Sequence, residues 1–246
     1  MILRQQMVIE IKHFPFGLMI LRRFGLTRGF IVRSFQQCPI EWVPGCRKIS
    51  RLFSLIKSAV SHALPVQVKI ACFGVSDIPL DAIGMKTHFA WAKKLGLEVL
   101  VTEVTPNQAL DKIAGETGIQ IALHNHPESW PADKVLAATQ DLSKNCGSCA
   151  DTGHWLRAGK DPIANLKLLA GRVIESHFKD VDDQKSDVVF GTGISNIKGM
   201  MQELKRQRFH GHLNIEYEHG DLAHLDATIP LCVAAFDKIA AAVAKE

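Results

Sequence analysis

Beyond residue 65 the spacing of apolar residues along the chain switches period in a regular way. Short apolar runs cover 66–73, 97–102, 119–124, the residues leading to Asp151, then 173–177 and 213–217. Runs of this length, rich in β-branched residues, read as strands. Between them lie segments whose apolar residues fall three or four apart, the spacing of one helix face. These cover 81–95, 107–115, about 131–142, 161–171, 196–209 and 229–244. Gly96 stands where a helix C-terminus needs it, and Asp161-Pro162 has the cap-then-proline order that opens a helix.

Six strand–helix units with short connections predict a parallel sheet covered by helices. Residues 1–64 have room for two more units, and eight would close a (β/α)8 TIM barrel. An open doubly wound sheet is the alternative, but its glycine-rich nucleotide turn is missing after every predicted strand. The nearest motif, Gly191-Thr-Gly193, precedes a helix and is expected to form a loop over the site that touches an anionic substrate group.

The N-terminal quarter follows the pattern less well. Strands are expected over 7–11 and 29–35, and an amphipathic helix over 48–63 from Ile49, Leu52, Phe53, Ile56 and Val60. Cys38, Pro39, Trp42, Pro44 and Gly45 indicate a loop between them. The expected organisation is a single domain. Residues 65–246 form its metal-binding catalytic region, and 1–64 a poorly matched segment that either supplies the first two units or leaves the barrel incomplete.

Composition narrows the class. Apolar residues make up 47% and charged residues 22% of the 246, as in ordinary globular domains. No apolar run approaches the roughly 20 residues that span a bilayer. The apolar stretch 14–21 is followed, not preceded, by Arg22 and Arg23, unlike a secretion signal. Six scattered cysteines read as reduced thiols, and Cys146-x-x-Cys149 lacks the second pair of a zinc ribbon, so both read as small buried residues. A cytoplasmic location is expected. Residues 1–65 carry ten Lys or Arg against two acids, so with a total of +4 the remaining 181 residues sum to −4. The basic start allows a nucleic-acid arm or targeting segment, but it lacks a compact Lys/Arg block.

The candidate chemistry sits at strand ends. The run 119–124 stops at His124-Asn-His126-Pro, with both imidazoles on one face by period-two geometry. Later runs end at Asp151-Thr-Gly-His154, His177-Phe-Lys179-Asp180 and Glu216-Tyr-Glu218. Parallel α/β folds keep their chemistry at such ends. Imidazoles and carboxylates converging there suit one borderline divalent ion, whether Zn, Mn, Co, Fe or Mg. Each residue also has a plainer reading: Asp151 as the cap of the next turn, His177 as a satisfied core histidine, Glu216 as a solvent-facing acid.

These motifs, with Gly191-Thr-Gly193 and Ile215-Glu216-Tyr217, resemble the xylose isomerase-like barrels over about residues 65–246. That family includes sugar isomerases and epimerases, hydroxypyruvate isomerase, inosose dehydratase, dehydroshikimate dehydratase and, more remotely, endonuclease IV. The resemblance implies a divalent ion on Asp151, His177 and Glu216, with His124 where the family has its first Glu and Glu103 as an alternative carboxylate. It implies proton abstraction beside a metal-chelated carbonyl to give an enediolate, with Glu216 as base and His124, His126 and Lys179 sharing protons. His154, Glu103 and Glu218 would contact substrate. The expected activity is a sugar isomerase or epimerase, with a keto-sugar or keto-inositol lyase and a non-catalytic sugar-binding barrel as alternatives. A small carbohydrate is the expected partner, without nucleic acid or membrane, and barrels of this kind often pair as homodimers.

Overall fold

The computed structural model describes residues 71–246 together with the backbone of 5–10 and 30–33. Eight strands form one sheet: β1 (Gln5–Glu10), β2 (Phe30–Arg33), β3 (Cys72–Phe73), β4 (Val99–Thr102), β5 (Gln120–His124), β6 (Cys146–Asp151), β7 (Val173–Phe178) and β8 (His212–Ile215). Their order is β2-β1-β8-β7-β6-β5-β4-β3, and every pairing is parallel. The end strands β2 and β3 approach within 8 Å, Cα to Cα, which curls the sheet round on itself. The strands expected over 7–11 and 29–35 thus fall on β1 and β2, whereas the helix expected over 48–63 and the start of the 66–73 strand lie outside the described residues.

The helices are α1 (Ala82–Leu95), α2 (Gln108–Thr117), α3 (Ala132–Thr139), α4 (Thr152–Arg157), α5 (Pro162–Leu168), α6 (Ile197–Arg206) and α7 (Leu222–Lys245). In all of these but α3 a side chain accepts from a first-turn amide. Asp81 accepts from Gly84 N–H, Asn107 from Leu110 N–H and Asp221 from His224 N–H. Gly96 ends α1 at φ 75°, a left-handed conformation that glycine adopts without a Cβ penalty.

Two expectations need correction. The last helix starts at Leu222, not 229. The Asp221 cap and the buried stripe Leu225, Ile229, Cys232, Phe236 and Val243 outweigh Pro230 inside the helix. This helix is also long and apolar enough, by length and composition alone, to cross a membrane, so the expectation that no run reached that length does not hold. A short helix that the pattern did not indicate, α4, occupies the turn after β6 and carries His154.

Strand alternation sorts the core. On β4, Val99 and Val101 join an inner cluster with Ala122 and Cys149, while Leu100 joins the outer one with Phe89 and Ala92 of α1. The same rule separates the C-x-x-C. Three residues apart on a strand, Cys149 faces inward while Cys146 packs in the outer cluster.

At the top of β3, His88 of α1 is buried and within 3.0 Å of Ser76 Oγ. Burial pushes its imidazole down to about 4. Between that value and the ordinary 6.5, only the unfolded chain takes up this proton. Folding stability therefore falls as pH drops through this window, by about 2–3 kcal/mol from this group. Urea unfolding of wild type and His88→Gln at pH 7 and pH 4.5 checks this: the variant loses less stability on acidification, and equal losses would contradict the assignment.

Candidate metal centre

Parallel register brings the strand-end residues together. Asp151 on β6 is the cross-strand partner of His177 on β7, and Phe178 is the partner of Ile215 on β8. Glu216, directly after β8, donates its backbone N–H to Phe178 O. One ligand-type atom from each of Asp151, His177 and Glu216 therefore lies within 4.8 Å of the others, and all three residues are buried. His177 Nδ1 is 3.4 Å from Glu216 Oε2 and 4.0 Å from Asp151 Oδ2. Of the plain readings, one is partly met and one is overturned. Asp151 Oδ1 does cap α4, accepting His154 N–H at 2.8 Å. That leaves Oδ2 aimed into the cluster. Glu216 is fully buried, so it is not a solvent-facing acid.

The far side of His177 is held by a residue that the sequence reading missed. Glu175 Oε1 lies 3.2 Å from Nε2, and Cys149 Sγ lies 3.4 Å from the same nitrogen. Burial opposes ionisation of Glu175, but the His177 hydrogen bond and charge, with the Cys72 and Cys149 thiols, outweigh it and hold the carboxyl at about 2. A carboxylate 3.2 Å behind Nε2 favours the tautomer with its proton on that nitrogen and leaves the Nδ1 lone pair toward Asp151 and Glu216, as behind many metal-bound imidazoles. The signal was available: Glu175 shares the His177 face of β7 by period two, in an otherwise apolar strand.

Lys179, fully buried, places Nζ 3.2 Å from Asp151 Oδ2, 3.2 Å from Glu216 Oε2 and 2.6 Å from Glu218 Oε2. Burial opposes ionisation of Asp151 too. The charge of Lys179, with the hydrogen bond from His124, more than offsets it and keeps this carboxyl well below its ordinary range. Gly153 makes room for the lysine, since a Cβ there would meet Lys179 Cβ and Cδ at 2.7 Å.

His124 stands beside this cluster. Its Nε2 is 3.6 Å from Asp151 Oδ2 and its Nδ1 is 3.6 Å from Glu103 Oε1. Glu103 also contacts His126 Nδ1. It does not join Asp151, His177 and Glu216. Hydrogen bonding to His124, then the charges of His126 and His124, outweigh partial burial and lower its carboxyl. His154 Nε2 is 3.5 Å from Asp151 Oδ2. Burial pushes its imidazole down to about 2, the Asp151 carboxylate only partly offsetting this, so His154 is neutral at working pH.

Three further residues hold the site without reaching it. Asn125 exchanges two hydrogen bonds with the Asp151 backbone, at 3.0 and 2.9 Å, tying the end of β5 to the end of β6. Thr152 Oγ1 donates to His177 O and accepts from Lys179 N–H, tying α4 to β7. Asp180 accepts the N–H groups of Gly191, Gly193 and Ser195 at 2.8–3.1 Å. That last set corrects the expectation for Gly191-Thr-Gly193: its amides bind the chain's own carboxylate instead of facing an anionic substrate. Beside Glu218 and His154 opens a cavity of about 340 Å3, also lined by Arg157, Ser186, Asp187 and His219. Arg157 is paired with Asp187 there.

Two carboxylates and an imidazole form a donor set suited to a divalent ion. Asp151 Oδ2 and His177 Nδ1 are buried atoms that no directed hydrogen bond satisfies, so the residues fit such an ion. Replacing Glu175 by Gln is expected to lower metal affinity by about 10–100-fold with the fold retained. Competition against a chelating dye measures this, and an unchanged affinity would remove Glu175 from the site. Asn125→Ala is expected to cost about 1–3 kcal/mol by leaving the buried Asp151 amide unsatisfied, as read from the urea midpoint.

Residues 106–233 match the family model described as xylose isomerase-like TIM barrel. An inosose dehydratase of Lacticaseibacillus casei is 26% identical over 128 residues, covering 43% of this chain and 42% of that protein. The chain thus matches less than half the length of this curated relative. A protein of Parabacteroides distasonis, solved by crystallography and described as uncharacterized, is 30% identical, covers 86% of this chain and 88% of its own, and superposes with a TM-score of 0.57. The crystal structure of an IolI protein with a bound zinc atom shares the fold at 16% identity and a TM-score of 0.54, covering 87% of both chains. With more than half of its residues matched by the family model, and with strands that follow one another in parallel around a curled sheet, the chain belongs to the xylose isomerase-like TIM barrel family.

Proposed function

We propose that this protein is a divalent-metal-dependent enzyme that isomerises or epimerises a sugar or keto-sugar by moving a proton next to its carbonyl. The observation that carries the reading is the convergence of Asp151, His177 and Glu216 within 4.8 Å at neighbouring strand ends. These three would hold the ion, and the zinc in the IolI structure supports that assignment. When bound, the ion withdraws charge from a carbonyl and its neighbouring hydroxyl, which makes the α C–H acidic.

The chain's own groups do the rest. Glu216 receives the α-proton. Lys179, held by Asp151, Glu216 and Glu218, fixes the carboxylates in place and offers an N–H to a developing oxyanion. Glu103 behind His126 makes an oriented carboxylate–imidazole pair that returns a proton from the other side. Neutral His154 hydrogen-bonds a substrate hydroxyl at the mouth of the adjoining cavity, whose 340 Å3 suits a small polyol. Returning the proton to the same carbon from the opposite face gives an epimer; returning it to the neighbouring carbon gives an isomer. The excess of acids beyond residue 65 disfavours a nucleic-acid backbone as partner, and a cytoplasmic reaction is part of this proposal.

A second reading, elimination of a β-hydroxyl as water, is favoured by the match to an inosose dehydratase and by the imidazoles of His124 and His126 beside the site, either of which serves as acid for a departing hydroxyl. Keto-sugars and keto-inositols incubated in deuterated water with Mn2+ and followed by mass spectrometry distinguish the two. Isomerisation or epimerisation adds about one mass unit per exchange event, and elimination removes the mass of water. Asp151→Ala and Glu216→Gln are each expected to slow exchange by about 10²–10⁴-fold. Wild-type exchange no faster than that of the variants across the panel would overturn the proposal.

A further inference from the structure

We propose that His124, His126 and His154, backed by Glu103, hold a second divalent ion of the zinc class beside the first. The inference rests on the reading that Asp151, His177 and Glu216 take the first ion, and it departs from the mechanism given above by making His126 and His154 ligands instead of a proton donor and a hydroxyl contact. One ring nitrogen from each of the three histidines lies within 4.8 Å of the others. Ring centroids are 4.6 Å apart for His124 and His126, 4.8 Å for His126 and His154, and 5.7 Å for His124 and His154. Three groups that each gain positive charge on protonation have thus been packed together in one partly buried spot, His124 edge to face with both of the others. A shared cation uses the three lone pairs at once; a shared proton cannot.

The surroundings match a ligand set. Glu103 Oε1 contacts His126 Nδ1 and lies 3.6 Å from His124 Nδ1, so one carboxylate stands behind two imidazoles, as behind metal-bound histidines. His154 Nδ1 is buried with no hydrogen-bond partner. Asp151 Oδ2 lies 3.5 Å from His154 Nε2, 3.6 Å from His124 Nε2 and 4.0 Å from His177 Nδ1. The same carboxylate oxygen therefore stands between both ligand sets, the arrangement that supports paired ions about 3.5–4 Å apart. Zinc–nitrogen bonds of about 2.0–2.1 Å require the rings to close by roughly 1 Å, a shift within reach of His126, whose side chain is 28% exposed at the mouth.

The two sets differ in chemistry. A nearly all-imidazole set selects zinc or cobalt over magnesium or manganese, whereas two carboxylates and one imidazole accept manganese as well. The site should therefore show itself as a difference in stoichiometry between metals. The full chain, stripped with chelator and dialysed against Zn2+ or Mn2+, is measured by plasma mass spectrometry. About two zinc ions but about one manganese ion per chain are expected. His126→Ala/His154→Ala should fall to about one zinc and keep its manganese, and cobalt titration should lose the visible absorption of the second equivalent. His126→Gln, with circular dichroism to verify folding, serves if the double variant does not fold and is expected to weaken the second zinc at least tenfold. A wild-type chain that saturates at one zinc, or a folded histidine variant that keeps two, overturns the second site and leaves the first intact. A wild type that binds no manganese, with its zinc lost in the histidine variant, upholds the histidine site and removes the first.

Discussion

Carboxylates buried side by side need positive charge within reach, and the end of this barrel is built around that requirement. Asp151 and Glu216 are fully buried and Glu218 is nearly so, with Lys179 in contact with all three. An uncompensated buried charge costs several kcal/mol. One ammonium leaves these carboxylates with uncompensated negative charge, which a divalent ion would offset. Glu175 stands behind His177, 3.2 Å from Nε2, and leaves Nδ1 facing the carboxylates. The lysine thus sets the electrostatics of the centre as much as any ligand does, and Gly153 is there because no larger residue leaves space for its stem.

The motif after β6 can be read residue by residue on this basis. Asp151 divides its oxygens between capping α4 and facing the cluster, Thr152 ties α4 to β7, Gly153 clears the lysine and His154 rides on the short helix. The His-Asn-His run works in a similar way. Its histidines face the cluster, while Asn125 points back to the Asp151 backbone and sets the spacing of two strand ends. Positions that look like spacers between chemical groups are the ones that fix those groups in space.

Much of this was legible from residues alone, because strand ends in a parallel sheet converge whatever lies between them. Apolar period, Gly96 and Asp161-Pro162 located β4 to β8 and the helices between. What escaped depends on contacts distant in sequence. Glu175 looked like one acid in a strand until its distance to His177 was known. Asn125 was hidden between two histidines, and the Gly191-Thr-Gly193 loop seemed ready for an anion until Asp180 was found filling it. The local pattern put the last helix at 229–244, since it carries no information about the buried stripe on which α7 lies.

The central claim is spatial: Asp151, His177 and Glu216 share one ion. Anomalous diffraction from crystals grown with Mn2+, collected at the manganese edge, tests it most directly. The account predicts a peak at about 2.0–2.3 Å from a carboxylate oxygen of Asp151, Nδ1 of His177 and a carboxylate oxygen of Glu216. A well-ordered barrel end with no peak among these three side chains, and Lys179 alone balancing their charge, would contradict it.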